Sequence, residues 1–391
     1  MLERNISPWP KFSKEEIAAV KSVLRSGRVN YWTGQECREF EMEFARWVGV
    51  PHAVALTNGT VALDLCWQVL GVGAGDEVIC TPRTFLASAT SIINAGAVPV
   101  FADVDRDSQN ITPETVARHI GPKTKAILCV HLAGWPCDMD GFRQLADANK
   151  LYLVEDCAQA HGATVGDRSV GGLSDIAAWS FCQDKIMTTG GEGGMITTRQ
   201  KDLWSRAWSY KDHGKSWDAV YARQHPPGFR WLHESIGTNW RMIEIQATIG
   251  RIQLQKIKKW TAQRIHNAQA IFAVASPFSA LRVPVTPAHM KHAYYRAYAF
   301  VEPSALQSSW SRDRIVHEIS VNGVPCYQGS CSEIYLEKAF DHVPCRPTER
   351  LANARELGAT SLAFLVHPTL TAIEIERGCA VISRIMKAAQ R

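Results

Sequence analysis

The stretch Ser180-Phe181-Cys182-Gln183-Asp184-Lys185-Ile186-Met187-Thr188-Thr189-Gly190-Gly191-Glu192-Gly193-Gly194 sets one lysine between an apolar run and a glycine-dense loop. Ala177-Ala178-Trp179-Ser180-Phe181 leads in as a strand, and Met195-Ile196-Thr197-Thr198 leaves as another. Most lysines are solvated, and that is the plain reading of any one of them. A lysine at the end of a buried strand differs, because lost hydration lowers an ammonium pKa and yields a nucleophilic amine. A depressed pKa is the expectation for Lys185. The glycines let the backbone turn or approach where a side chain would clash.

Outward from this stretch, short apolar runs recur at residues 53–56, 77–80, 98–102, 126–131, 151–155, 176–181 and 194–198. Helical periodicity fills the gaps at 61–70, 86–95, 113–120 and 139–149. Buried runs alternating with helices predict an α/β fold with a mostly parallel, seven-stranded sheet covered by helices. Ligands of such sheets bind beyond the carboxyl ends of the strands. From about residue 209 to 240 the pattern dissolves into polar, aromatic and proline-containing sequence, read as a loop covering a site or a subunit contact. Residues 243–262 read as a long helix linking to a smaller C-terminal α/β domain. The expected division is 1–254 for a large domain and 255–391 for a small one, and 391 residues suit two domains.

Composition narrows the class. A hydrophobic content of 46% with 21% charged residues describes a globular protein with a substantial core. The formal charge of +5 suits an anionic ligand, and the absence of any Lys/Arg block argues against nucleic acid. No apolar h-region opens the chain and no run is long enough for a membrane helix. Eleven cysteines are scattered without a C-x-x-C pair, many in apolar runs, so a cytoplasmic protein with reduced cysteines is expected.

Other strand ends carry chemistry. Thr57-Asn58-Gly59-Thr60 follows the first strand and opens a helix, where free N–H groups and the dipole make a phosphate cradle; an ordinary N-cap is the alternative. Glu155-Asp156 ends Leu151-Tyr152-Leu153-Val154, and a carboxylate there needs a cation or strong donors, unless it caps a helix. Gln159 would share a helical face with Asp156. Phe85 could stack on a flat ring, though core packing is the usual fate of a Phe, and Ser180 could donate to a phosphate. Phosphate cradle, ring-nitrogen partner and amine together suit pyridoxal phosphate, an aldehyde that forms a Schiff base with a lysine.

These residues carry a resemblance. Asn58-Gly59-Thr60, Gly73-x-Gly75-Asp76-Glu77, Thr84-Phe85, Asp103-Val104-Asp105, Val130-His131-Leu132-x-Gly134, Glu155-Asp156-x-Ala158-Gln159-Ala160-His161-Gly162, Ser180-Phe181-x-x-x-Lys185 and Gly193-Gly194-Met195 resemble the DegT/DnrJ/EryC1/StrS family. The family consists of pyridoxal-phosphate-dependent aminotransferases acting on nucleotide-linked keto sugars. The resemblance implies PLP fold type I and a homodimer with active sites at the interface. It makes Lys185 the Schiff-base lysine and proton shuttle and Asp156 the partner of the pyridine nitrogen. Gln159 meets the phenolic oxygen, Phe85 stacks on the ring, and Gly59, Thr60 and Ser180 hold the phosphate. Asn239, in Gly237-Thr238-Asn239-Trp240-Arg241-Met242, reaches the partner subunit's phosphate, and Arg241 contacts anionic substrate groups. The implied donor is L-glutamate, and the implied acceptor a 4-keto-6-deoxy hexose nucleotide feeding surface-polysaccharide synthesis.

The sequence departs from the family in His131-Leu132-Ala133-Gly134-Trp135, which lacks a usual Tyr and Gln, and in the lead-in Cys182-Gln183-Asp184. A dehydratase branch carries histidine in place of the lysine, so Lys185 favours transamination; a lyase or dehydratase on this fold and a non-catalytic regulatory relative are the alternatives. Gly71-Val72-Gly73-Ala74-Gly75 follows a helix and precedes a strand, the reverse of a dinucleotide loop. Cys157 and His161 lack a second ligand pair, so no metal is expected. Lys211-Asp212-His213-Gly214-Lys215 reads as a solvated loop, with His213 a candidate substrate contact.

Overall fold

The computed structural model describes residues 6–225, 227–228 and 230–391. Seven strands form the main sheet: β1 (His52–Leu56), β2 (Glu77–Cys80), β3 (Val98–Phe101), β4 (Thr124–Val130), β5 (Tyr152–Asp156), β6 (Ile176–Ser180) and β7 (Gly194–Thr198). Their order is β1-β7-β6-β5-β4-β2-β3, and β7 alone runs opposite to the other six. All seven coincide with the apolar runs of the sequence, within a residue or two at the ends. Their continuous hydrophobicity has a direct cause, since both faces are covered. Val78, Leu128 and Val154 join one core, and the alternate residues Ile79, Ile127 and Leu153 join another.

The helix Gly59–Leu70 buries most of its length against the sheet and stops where Gly71 turns left-handed at φ 66°. The helix read over residues 113–120 is shorter, Pro113–Ala117. The long helix is longer than expected: it runs 32 residues, Glu244–Ala275, without a break at residue 254. Arg264 and Asn267 interrupt its apolar pattern yet are buried, with Asn267 donating to the carbonyls of Val366 and His367. Polar residues on a buried face hid the helix's second half from its periodicity.

Beyond this helix, β8 (Leu281–Arg282), β9 (Ala297–Val301), β10 (Cys326–Tyr327) and β11 (Ser361–Phe364) form an antiparallel sheet in the order β8-β9-β11-β10. Ala297, Ala299 and Val301 face a core shared with Ile315, Ile319 and Ile382. Tyr298 and Phe300, on the other face of β9, pack with Ile79, Ile127 and Phe142 of the main sheet's layer. The small sheet is thereby fixed to the large one.

β6 carries the chain to Lys185, and its centre is tightly constrained. Trp179 is fully buried and donates from Nε1 to Thr197 Oγ1 at 2.9 Å. Gly171, at φ 80°, lies against its indole so closely that a Cβ would overlap the ring. Gly171→Ala should cost about 2–3 kcal/mol through strain and overpacking, seen as a lower midpoint in chemical denaturation.

Candidate active site

The carboxyl ends of β1, β5 and β6 meet at one rim of the sheet. At the first, Asn58 caps the helix by accepting from the Val61 N–H at 3.0 Å. The Gly59 and Thr60 N–H groups precede the helical ladder and have no acceptor among the described residues. Gly59 is required sterically, because a Cβ there would stand 2.5 Å from Ser180 Cβ and 2.9 Å from its Oγ. The free N–H groups of the helix start and the Ser180 hydroxyl thus lie side by side, a donor set of the kind that binds an anion.

At the second strand end, Asp156 is only 6% exposed. It accepts from Ser88 Oγ at 2.9 Å and the Ala158 N–H at 3.1 Å, and Thr84 Oγ1 lies 2.9 Å from Ser88 Oγ. Burial pushes its carboxyl above the usual aspartate range, against the pull of these donors and of Lys185. The residues after it form turns and no helix, so Asp156 is not an N-cap and shares no helical face with Gln159. Gln159 is placed by another route. Its Oε1 accepts the Ala133 N–H at 2.8 Å, leaving its amide NH2 to donate. Phe85 is 69% exposed, so core packing does not account for it.

Lys185 ends a tight loop after β6. Its N–H donates to the Cys182 carbonyl at 3.1 Å, and its own carbonyl accepts from Trp9 Nε1 at 2.8 Å. Further along, the Thr188 N–H donates to Gln253, which donates in turn to buried Glu16. The side chain is 14% exposed, with Nζ 3.6 Å from Asp184 Oδ1 and 5.0 Å from the Tyr295 ring centre. The Tyr295 hydroxyl donates to the other oxygen of Asp184.

Here the structure corrects the sequence. Burial pulls the Lys185 ammonium down as expected, but Tyr295, Asp184, Cys182 and Asp156 face it and together hold it above the ordinary lysine value. Tyr295 is itself pushed up by burial and is neutral near pH 7, so the two carboxylates supply the charge. Neither Tyr295 nor the role of Asp184 was legible, because residues 184 and 295 are linked by no spacing.

The remaining candidates are arranged differently. The Lys211–Lys215 segment is not a solvated loop: Lys211, Asp212 and Lys215 are buried, and only His213 is exposed, at φ 60°. Lys211 Nζ lies 3.7 Å from the Tyr31 ring centre, and burial lowers its pKa. Arg241 is held in an ion pair with Asp212 Oδ1 at 2.7 Å, an oxygen that Lys215 Nζ shares at 3.0 Å. Asn239 is exposed beside the phosphate turn, where the Thr57 N–H donates to the neighbouring Trp240 carbonyl at 3.0 Å. His161, a residue of the rejected zinc pair, is buried among Trp179 and Phe181, and burial pushes its pKa down to about 3.

The rim fits pyridoxal 5′-phosphate. The helix start that Gly59 lets lie against Ser180 would take the phosphate, the buried carboxylate of raised pKa would take a protonated ring nitrogen, and Lys185 lies beside them. Sheet, strand-end lysine and appended small sheet are those of a fold type I aminotransferase. Residues 10–383 match the DegT/DnrJ/EryC1/StrS aminotransferase family, and the chain belongs to that family, whose members depend on pyridoxal phosphate. It is 32% identical over 393 residues to spore coat polysaccharide biosynthesis protein SpsC of Bacillus subtilis, covering 97% of this chain and 96% of that one. To GDP-perosamine synthase of Caulobacter vibrioides it is 33% identical over 355 residues, 89% of each. The solved aminotransferase from Psychrobacter cryohalolentis is 57% identical and superposes with a TM-score of 0.96, over 98% of this chain and 99% of that one.

Asp156 makes a signed pH prediction. Its folded pKa is raised, so the folded state binds its proton more tightly than the unfolded chain does. Its contribution to stability therefore falls as pH rises from the ordinary aspartate value through the raised one. Cofactor-free Asp156→Asn should melt higher than cofactor-free wild type at pH 7, with the two converging in acid, while calorimetry shows weaker binding of pyridoxal phosphate.

Proposed function

We propose that this aminotransferase moves the amino group of L-glutamate onto a nucleotide-linked keto sugar, a 4-keto-6-deoxy hexose, yielding an amino sugar for surface polysaccharide. The convergence of Lys185, Asp156 and the Gly59 turn at one sheet edge carries the reading, and the names of the relatives support the sugar class. The proposed assembly is a cytoplasmic homodimer in which Asn239 of each chain reaches the phosphate site of the other.

Bound pyridoxal phosphate supplies the carbonyl that captures the amine and the conjugated ring that spreads the electrons of a broken C–H bond. The chain's own residues do the rest. Gly59, Thr60 and Ser180 bind the phosphate through backbone N–H groups and hydroxyls. Asp156 keeps a proton on the ring nitrogen, Gln159 donates to the phenolic oxygen, and Phe85 offers a stacking face. Lys185 Nζ would hold the cofactor and, once the donor amine has displaced it, would carry the proton from the donor's α-carbon to the cofactor carbon that bears the nitrogen; in the second half-reaction it would carry one from that carbon to the sugar carbon that accepts nitrogen. Asp184, hydrogen-bonded to Tyr295, stabilises the ammonium that Lys185 becomes between those transfers.

Adding L-glutamate to the purified holoenzyme should convert the bound-cofactor absorbance to that of the pyridoxamine form. Silence with every amino acid would sink the reading. The aminated form should then return to its starting spectrum with a 4-keto sugar nucleotide, and a response only to other keto substrates would remove the assigned sugar class. Lys185→Ala should lose turnover by at least about 10²–10⁴-fold from proton transfer alone, and borohydride should no longer fix the cofactor to the chain.

A further inference from the structure

Lys185 is not the only cation beside Tyr295. Arg296, immediately before β9, is half-buried, with its guanidinium carbon 4.9 Å from the Tyr295 ring centre and 6.0 Å from that of Tyr327. It makes no hydrogen bond or ion pair to a described residue. The segment carrying it is pinned to the turn that orients Gln159: the Tyr295 N–H donates to the Ala133 carbonyl at 2.8 Å, and the Ala293 N–H to Gly134 at 2.9 Å.

Behind it lies Arg264, 1% exposed. Its Nη1 reaches the carbonyls of Tyr294 and Tyr295, both at 3.4 Å, while Nε and Nη2 have no partner among the described residues. Burial, and then the charge of Arg296, pull its pKa down to about 9. Asp184 is the carboxylate that faces Arg296, but it already accepts from Tyr295 and faces Lys185. Arg264 itself reaches only carbonyls and has no carboxylate among its described partners. A buried cation without a counter-charge is costly, so such a place is completed by an anion. Arg241, the residue the sequence suggested for anions, is tied to Asp212, whose same oxygen also holds Lys215.

We propose that Arg296, backed by Arg264, is the group that binds the carboxylate of the amino donor. Its planar fork offers paired N–H donors matched to two carboxylate oxygens, on the same tyrosine that Lys185 overlies. The assignment rests on the reading of the site as a glutamate-dependent aminotransferase.

The test uses holoenzyme carrying Arg296→Gln or Arg296→Lys, with cofactor absorbance and melting temperature as folding controls. Single-turnover spectra give the apparent Kd for L-glutamate, and calorimetry gives Kd for succinate and for nucleoside diphosphates. Arg296→Gln should weaken glutamate and succinate on the order of 10- to 100-fold, with Arg296→Lys between it and wild type and nucleoside diphosphate binding unchanged. Wild-type affinity for both dicarboxylates in Arg296→Gln would overturn the proposal, as would a loss confined to nucleoside diphosphates, which would place a sugar-nucleotide phosphate there. Where Arg296→Gln does not fold, Arg296→Lys decides by the same comparison. A wild-type enzyme indifferent to glutamate would refute the transaminase reading instead, and succinate binding would still decide Arg296.

Discussion

A carboxylate at the end of a strand covered on both faces has almost no water to hold its charge. Asp156 is in that position, and the site is organised around its deficit. Two neutral donors, Ser88 Oγ and the Ala158 N–H, support it without neutralising it, and its carboxyl stays above the ordinary range. A protonated ring nitrogen would supply what is missing. Cofactor binding and the stability of the protein are therefore coupled through one buried group.

The same principle shapes the surroundings of Lys185 with the opposite sign. Burial alone would strip the proton from its amine, but Asp184 and Asp156 retain it. The lysine is thus held charged by the groups that face it. Backbone ties set its position independently of that charge: Trp9 on its carbonyl, and the Thr188–Gln253–Glu16 relay just beyond. The N-terminal segment is itself fastened to the start of the C-terminal helix Ala372–Ala389, since Thr369 donates to the Pro8 carbonyl and Ser7 to Glu374. The lysine's anchorage therefore depends on residues from both ends of the chain.

Residues 209–240 show why composition misleads in such a protein. Lysine, aspartate and lysine within five residues read as solvent-facing, yet these three are buried. The cause is the aromatic wall around them, Tyr31, Trp32 and Trp208, together with the Asp212–Arg241 pair. Cations packed on ring faces lose less on leaving water than cations packed on aliphatic groups. No local pattern in the sequence announces that arrangement, because Tyr31 and Trp32 come from the N-terminal part of the chain, far from Lys211 and Lys215 in sequence.

The seven strands, their parallel layering and the strand-end residues Gly59, Asp156, Ser180 and Lys185 were all legible in the chain. Each depends on a local rule: an apolar run of limited length, a glycine where backbone must pass close, a polar residue where a run stops. The later half of the long helix was not, because its buried arginine and asparagine mimic an exposed face. Nor were Tyr295, Ser88 and Arg296 legible as members of the site, since nothing in their spacing relates them to Lys185. The sequence by itself determined which chemical groups stand at the ends of the strands. Only the tertiary structure decided their charge states and partners, because burial and facing charges act through space between residues the chain keeps far apart.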